Sequence, residues 1–119
     1  LNVEENTQYI DSLNLGLEYY YKEQFFKSGR SKWRIPHIWP VDIHNQSQGI
    51  ITFLIFKDFD ERYSEFAKKI GIWTIENMQN EDKGYFYYKK YKYFTHKTPY
   101  IRWSQAWMLL ALTLIITSD

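Results

Sequence analysis

Asp42 and His44 form the sharpest chemical pair in the sequence, two residues apart between Trp39-Pro40 and a long apolar run. A carboxylate there suits the start of a helix, where it meets unpaired backbone N–H groups. The same position disfavours an imidazolium, so His44 is expected to be neutral and able to take a proton. Such a pair suits acid–base work on a sugar hydroxyl or ring carbon. The competing reading makes Asp42 a plain helix cap and His44 a hydrogen-bonded loop residue. Glycoside hydrolysis asks for two carboxyl groups about the scissile bond. Residues 83–118 hold no Asp or Glu, so a second acid would have to come from elsewhere.

Aromatic rings are the other resource: eleven Tyr, eight Phe and five Trp among 119 residues. Trp39, Tyr85, Tyr87 and Trp103, with Trp107 beside them, could line a sugar cleft, since ring faces stack on the C–H face of a pyranose. Gln48, Arg102 and Gln105 would supply the hydrogen bonds, and Arg102 would hold an anionic sugar group. The alternative places these rings in a helical core. Lys83, Lys89, Lys90, Lys92, Lys97 and Arg102 interleave with tyrosines and meet no acid in that stretch. That pattern fits single-stranded nucleic acid or an anionic polysaccharide, and equally a solvated hairpin edge that blocks strand pairing. No nucleic-acid partner is expected. His37, His44 and His96 lack ligand-like spacing, so neither a metal nor a cofactor is expected.

These residues need elements to hold them. A 45% apolar chain of this length can bury one core. A formal net charge of +1 gives no global pull towards nucleic acid or acidic lipid. Without cysteine there is no disulfide framework or thiolate site. Nothing at the start resembles a secretory leader, so the expected location is cytoplasmic. The apolar run from Ala106 to Ile116 is shorter than the ~20 residues that span a bilayer.

The spacing of Ile10, Leu13, Leu17, Tyr20, Tyr21 and Phe25 predicts an amphipathic helix from about Thr7 to Lys27, capped by Asn6 or Thr7 and stopped at Gly29. Pro36 and Pro40 mark residues 31–41 as loop. Asp42 then caps a helix from Ile43 to Phe56, apolar in nearly every direction and so expected to be buried on all sides. Asp60 and Glu61 open a third helix, to about Gln79, with an apolar stripe through Phe66, Ile70 and Trp73. Ring density over residues 85–93 predicts a short β-hairpin turning near Lys89-Lys90. After Pro99 a last helix begins at Ile101 or Arg102 and runs to about Thr117, also expected to be buried.

One stretch is used twice. Ser47-Gln48-Gly49 and Ser104-Gln105-Ala106 stand 57 residues apart, each with a proline before it and an apolar run after it. A helix, a turn, a second helix and a loop fill that period, so the unit is an αα-hairpin. The expected fold is all-α, a partial ring of about four helices with one short β-hairpin between the third and fourth.

The phrases Trp39-Pro40-Val41-Asp42-Ile43-His44, Gln48-Gly49-Ile50, Phe66-Ala67-Lys68-Lys69-Ile70, Trp73-Thr74-Ile75-Glu76-Asn77-Met78-Gln79, Gly84-Tyr85-Phe86-Tyr87-Tyr88 and Tyr100-Ile101-Arg102-Trp103-Ser104-Gln105-Ala106-Trp107-Met108 carry a resemblance. From about Tyr20 to Ile115 the chain resembles the C-terminal third of the six-hairpin glycosidase-like proteins of polysaccharide biosynthesis, the VpsJ-like group. The resemblance implies an (α/α) toroid with two to three times as many helices, of which this chain would supply two inner and two outer ones. It implies a carbohydrate-interacting, glycosidase-like or sugar-epimerase-like domain, with the cleft where the inner helices begin. The partners expected are carbohydrate or polysaccharide, with the remaining hairpins of the ring or a second copy of the chain. The competing reading is a non-catalytic helical scaffold that oligomerises through exposed inner-helix flanks.

Overall fold

The computed structural model describes residues 3–118. Helix α1 spans Val3–Glu23, α2 Ile43–Ile55, α3 Glu61–Met78 and α4 Trp107–Thr117. The strands are β1 (Val41–Asp42), β2 (Lys89–Lys90) and β3 (Thr95–His96), in one antiparallel sheet of that order. The protein is thus mostly helical with a small three-stranded sheet.

Both predicted caps form. Asp42 Oδ1 accepts from the His44 N–H at 2.9 Å, and Asp60 Oδ1 accepts from Arg62 N–H at 2.9 Å. Each satisfies a donor that its helix leaves unpaired. The start of α1 differs from expectation: Asn6 and Thr7 lie inside the helix. Its end also differs, because Phe25 leaves the helix to bridge Ser31 and enters the core. Its stripe meets the core from Leu13 onward, with Leu17 buried, whereas Ile10 is exposed, as are Tyr9 and Leu15 off the stripe.

The core forms where α1, α2 and α3 meet. Phe53 is fully buried and touches Tyr20, Tyr21, Phe25, Tyr63 and Phe66 through ring contacts of 5.2–6.0 Å. Most are edge-on or tilted, the arrangement ring quadrupoles favour. Helix α3 runs antiparallel to α2: Gln46 meets Thr74 near one end of the pair, and Phe53 meets Phe66 near the other. Helices α2 and α4 run parallel. Their first residues meet where His44 lies edge-on to Trp107 at 5.8 Å, and their ends meet where Lys57 Nζ donates to Ser118 O at 2.6 Å.

Three further expectations need correction. Lys89 and Lys90 are a strand, not a turn; β2 lies between β1 and β3, and the chain reverses over residues 91–94, closed by Tyr91 N–H on Phe94 O at 2.8 Å. The last helix begins with a wide π-helical stretch, Ile101–Ala106, in which Ser104 N–H and Gln105 N–H both donate to Tyr100 O. Finally, α4 is not buried on all sides. Only Met108 and Ala111 are fully covered, because α2 and α3 pack on one side of it and leave Leu109, Leu110 and Ile116 in solvent. Helix α2 comes close to expectation, with Ile55 its exposed apolar residue.

Candidate functional site

Parallel α2 and α4 place their lead-in segments at one end of the molecule, and the sheet ties them together. Val41 pairs with Lys90 and Asp42 with Lys89, while Lys89 faces His96 and Lys90 faces Thr95. Ile43 N–H donates to Tyr88 O and Tyr88 N–H to His96 O. The first turn of α2 is therefore fastened to the aromatic hairpin by backbone bonds, which fix position without consuming side chains.

Asp42 and His44 adjoin at the start of α2, and the carboxylate is engaged there as the helix cap. Its Oδ1 accepts the backbone N–H of His44 at 2.9 Å, so the pair is linked through the helix cap. His44 lies against Trp107. Trp39 is half-buried and carries the Arg30 guanidinium at 4.1 Å on its ring; Phe26 receives the same cation at 4.4 Å. Burial between the rings draws the Arg30 pKa below its ordinary value. Such cation–π contacts fix both partners.

Tyr85 and Tyr87 meet edge-on at 5.8 Å, and Lys97 Nζ sits over the Tyr87 ring at 5.2 Å. Arg102 is exposed at the start of the π-helical stretch. The Trp103 side chain lies outside the described residues. Gln48 is half-buried on α2. Gln105 is committed: its Oε1 accepts from Phe86 N–H and its Nε2 donates to Phe86 O, both at 2.9 Å. A glutamine used twice on the backbone is a structural clamp.

Sequence reasoning missed a second cluster. His96, Tyr88 and Tyr100 form an edge-to-face trio with centroid distances of 4.8–5.9 Å, and His96 Nε2 lies 3.1 Å from Thr98 Oγ1. Alternation of rings with polar residues over 85–100 was its signal; the strand register that assembles it was not readable locally. Gln46 was missed as well. It is fully buried, accepts from Ser31 N–H at 2.7 Å, and donates to Gly29 O at 3.1 Å and Thr74 Oγ1 at 2.9 Å. Ser104 is also fully buried, and its hydroxyl has no hydrogen-bond partner among the described residues.

A groove of about 740 Å³ lies elsewhere, between the end of α1 and α3, lined by Tyr21, Phe25, Phe66, Arg62 and Lys69. Charges beside it are largely paired internally, Lys22 with Glu18 at 2.8 Å and Arg62 with Asp60 at 2.7 Å. The loop end has the chemical variety and is the stronger candidate. Among the described residues no group of three His, Asp or Glu is placed to hold a metal ion, and no helix is long and apolar enough to cross a membrane. Compared with protein-family models, with curated proteins and with solved structures, the chain matches none.

Proposed function

We propose that this chain is a carbohydrate-interacting domain, a partial (α/α) toroid of the glycosidase-like or sugar-epimerase-like kind that serves polysaccharide metabolism. The observation that carries this reading is the parallel alignment of α2 and α4 with their starts side by side. In a helical ring that alignment gathers every inner-helix lead-in at one mouth. Two local features support the hairpin repeat. Each outer helix is followed by a positive-φ glycine and a β-bridge, Gly29 with Phe25–Ser31 and Gly84 with Gln79–Phe86. Each bridge is then clamped by an inner-helix glutamine, Gln46 or Gln105.

On this reading Trp39, Tyr85, Tyr87 and Arg102 would meet the sugar, with Asp42 and His44 at the neighbouring start of α2. Because the Asp42 carboxylate already caps α2, binding is the primary activity and turnover would need an acid from further hairpins. The test is calorimetric titration of the protein with neutral, acetamido and uronic oligosaccharides. Saturable binding that Tyr87→Ala and His44→Ala weaken is expected; heats indistinguishable from dilution for every sugar would end the proposal.

A specific observation favours a second reading. The apolar side of α4 left in solvent, Leu109, Leu110 and Ile116, has the character of an unfilled interface. A helical scaffold that self-associates there would sediment as an oligomer and show no response to sugars.

A further inference from the structure

The net charge of +1 hides a sharp division. Residues 28–41 and 83–102 hold nine of the fifteen Lys and Arg and none of the fourteen Asp and Glu. The rest of the chain therefore carries six cations against fourteen acids. The sheet β1–β2–β3 joins the two basic loops at the end where α2 and α4 begin. Lys83 sits beside Glu81 and Asp82 in its own turn, and Lys89 stands across the sheet from Asp42. The ion pairs among the described residues involve Glu18, Lys22, Asp60, Arg62, Glu65 and Lys68, all outside these loops. The loop cations lie on rings instead: Arg34 over Trp33 at 4.4 Å, Lys89 over Tyr88 at 4.9 Å and Lys92 over Tyr93 at 5.3 Å.

The same loops present large apolar side chains to water. Tyr93 is 85% exposed and Phe94 63% at the hairpin turn; Ile101 is 82% exposed where the second loop enters α4. Ile35 and Ile38 are exposed in the first loop, around the small turn in which Arg34 N–H donates to His37 O at 3.1 Å. Isoleucines offer a sugar no ring face. Phe94 has one of its own faces taken by Tyr91, stacked at 4.5 Å and 12°. Aliphatic and aromatic tips in loops rich in cations match the acyl–headgroup boundary of an acidic bilayer, where apolar tips enter and lysines meet lipid phosphates and carboxylates.

We propose that this end of the protein docks on an anionic lipid surface, with Phe94, Tyr93 and Ile101 entering the interface and the exposed Lys92 and Lys97 holding the headgroups. The docking is peripheral and stands without the carbohydrate reading. It also orients the molecule, with the acid-rich body facing away from the lipid.

The experiment is co-sedimentation of the full chain with sucrose-loaded vesicles of phosphatidylcholine, with and without phosphatidylserine, over a salt series. Binding to the serine-lipid vesicles alone, weakened by salt, is expected. Lys92→Gln should weaken it about fivefold, the worth of one basic residue at such a surface. Phe94→Ser should weaken it about tenfold, as loss of an inserted ring requires, with the fold retained because the side chain is mostly exposed and loses only its stacking on Tyr91. No association at low salt, equal association with neutral vesicles, or full binding by Phe94→Ser would overturn the proposal. So would an oligonucleotide or an acidic polysaccharide that binds more tightly than the vesicles and ignores Phe94→Ser; the basic face would then belong to that polyanion.

Discussion

Gln46 and Gln105 perform the same task on different loops. Gln46 stands near the start of α2 and Gln105 in the π-helical stretch before α4, and each accepts the N–H of the residue that closes a β-bridge, Ser31 for Gln46 and Phe86 for Gln105. They lie 59 residues apart, whereas the two Ser-Gln pairs of the sequence lie 57 apart. The sequence alignment therefore pairs Gln105 with Gln48, while the hydrogen bonds pair it with Gln46.

Gln46 and Gln48 should accordingly behave very differently. Gln46→Leu strands the Ser31 N–H and the Gly29 carbonyl in a buried place and is expected to cost about 2–4 kcal/mol. Gln48→Ala, at a half-buried position, is expected to stay within about 0.5 kcal/mol. Urea unfolding of both variants checks this; comparable losses would contradict the clamp assignment.

Three glycines make a graded series. Gly29 has φ +96° and a Cβ there would lie 2.8 Å from the backbone of Lys69 and Ile70, so Gly29→Ala should cost about 3 kcal/mol or more. Gly84 has φ +83° but room around it, so Gly84→Ala should cost about 1 kcal/mol. Gly16 is helical with nothing within 4 Å of an added Cβ, and Gly16→Ala should stabilise by up to about 1 kcal/mol. Thermal melts of the three would show this order, and any other order would contradict it.

Alkaline stability should depend on Tyr20. Burial pushes its phenol from about 10 up to about 12, against a smaller opposing effect of its hydrogen bond to Thr52. An acid whose folded pKa is raised binds its proton more tightly in the folded state. Its stabilisation is fully present below pH 10 and is lost as pH rises through 12. Tyr20→Phe should flatten the loss of stability between about pH 10 and 12, measured by chemical denaturation across that range. An unchanged slope would show that other tyrosines govern it.

Asp42 can be separated into its two roles. Asp42→Asn keeps an oxygen to accept the His44 N–H and is expected to retain stability, whereas Asp42→Ala should lose about 1 kcal/mol with the cap. If the full ring turns over a sugar with Asp42 as its acid–base group, Asp42→Asn abolishes turnover at native stability. Equal turnover by Asp42→Asn and the parent would leave Asp42 as a cap alone.

Much of the helical framework was legible from short-range signals. Asp42 and Asp60 mark starts because an acceptor is needed within three residues, and the stripe through Phe66 and Ile70 repeats within two turns. Such information is carried by neighbours along the chain, so sequence alone determined where α2 and α3 lie and that α4 is apolar. Tertiary structure decided the rest. Lys89 became a strand because Asp42 and His96 flank it, partners 47 and 7 residues away. Leu109 and Ile116 stayed in solvent because only one side of α4 found helices to cover it. The choice of Gln46 over Gln48, and the gathering of two basic loops at one end, were settled in the same way. Contacts between distant segments depend on how whole helices pack, and no local pattern of residue types encodes that.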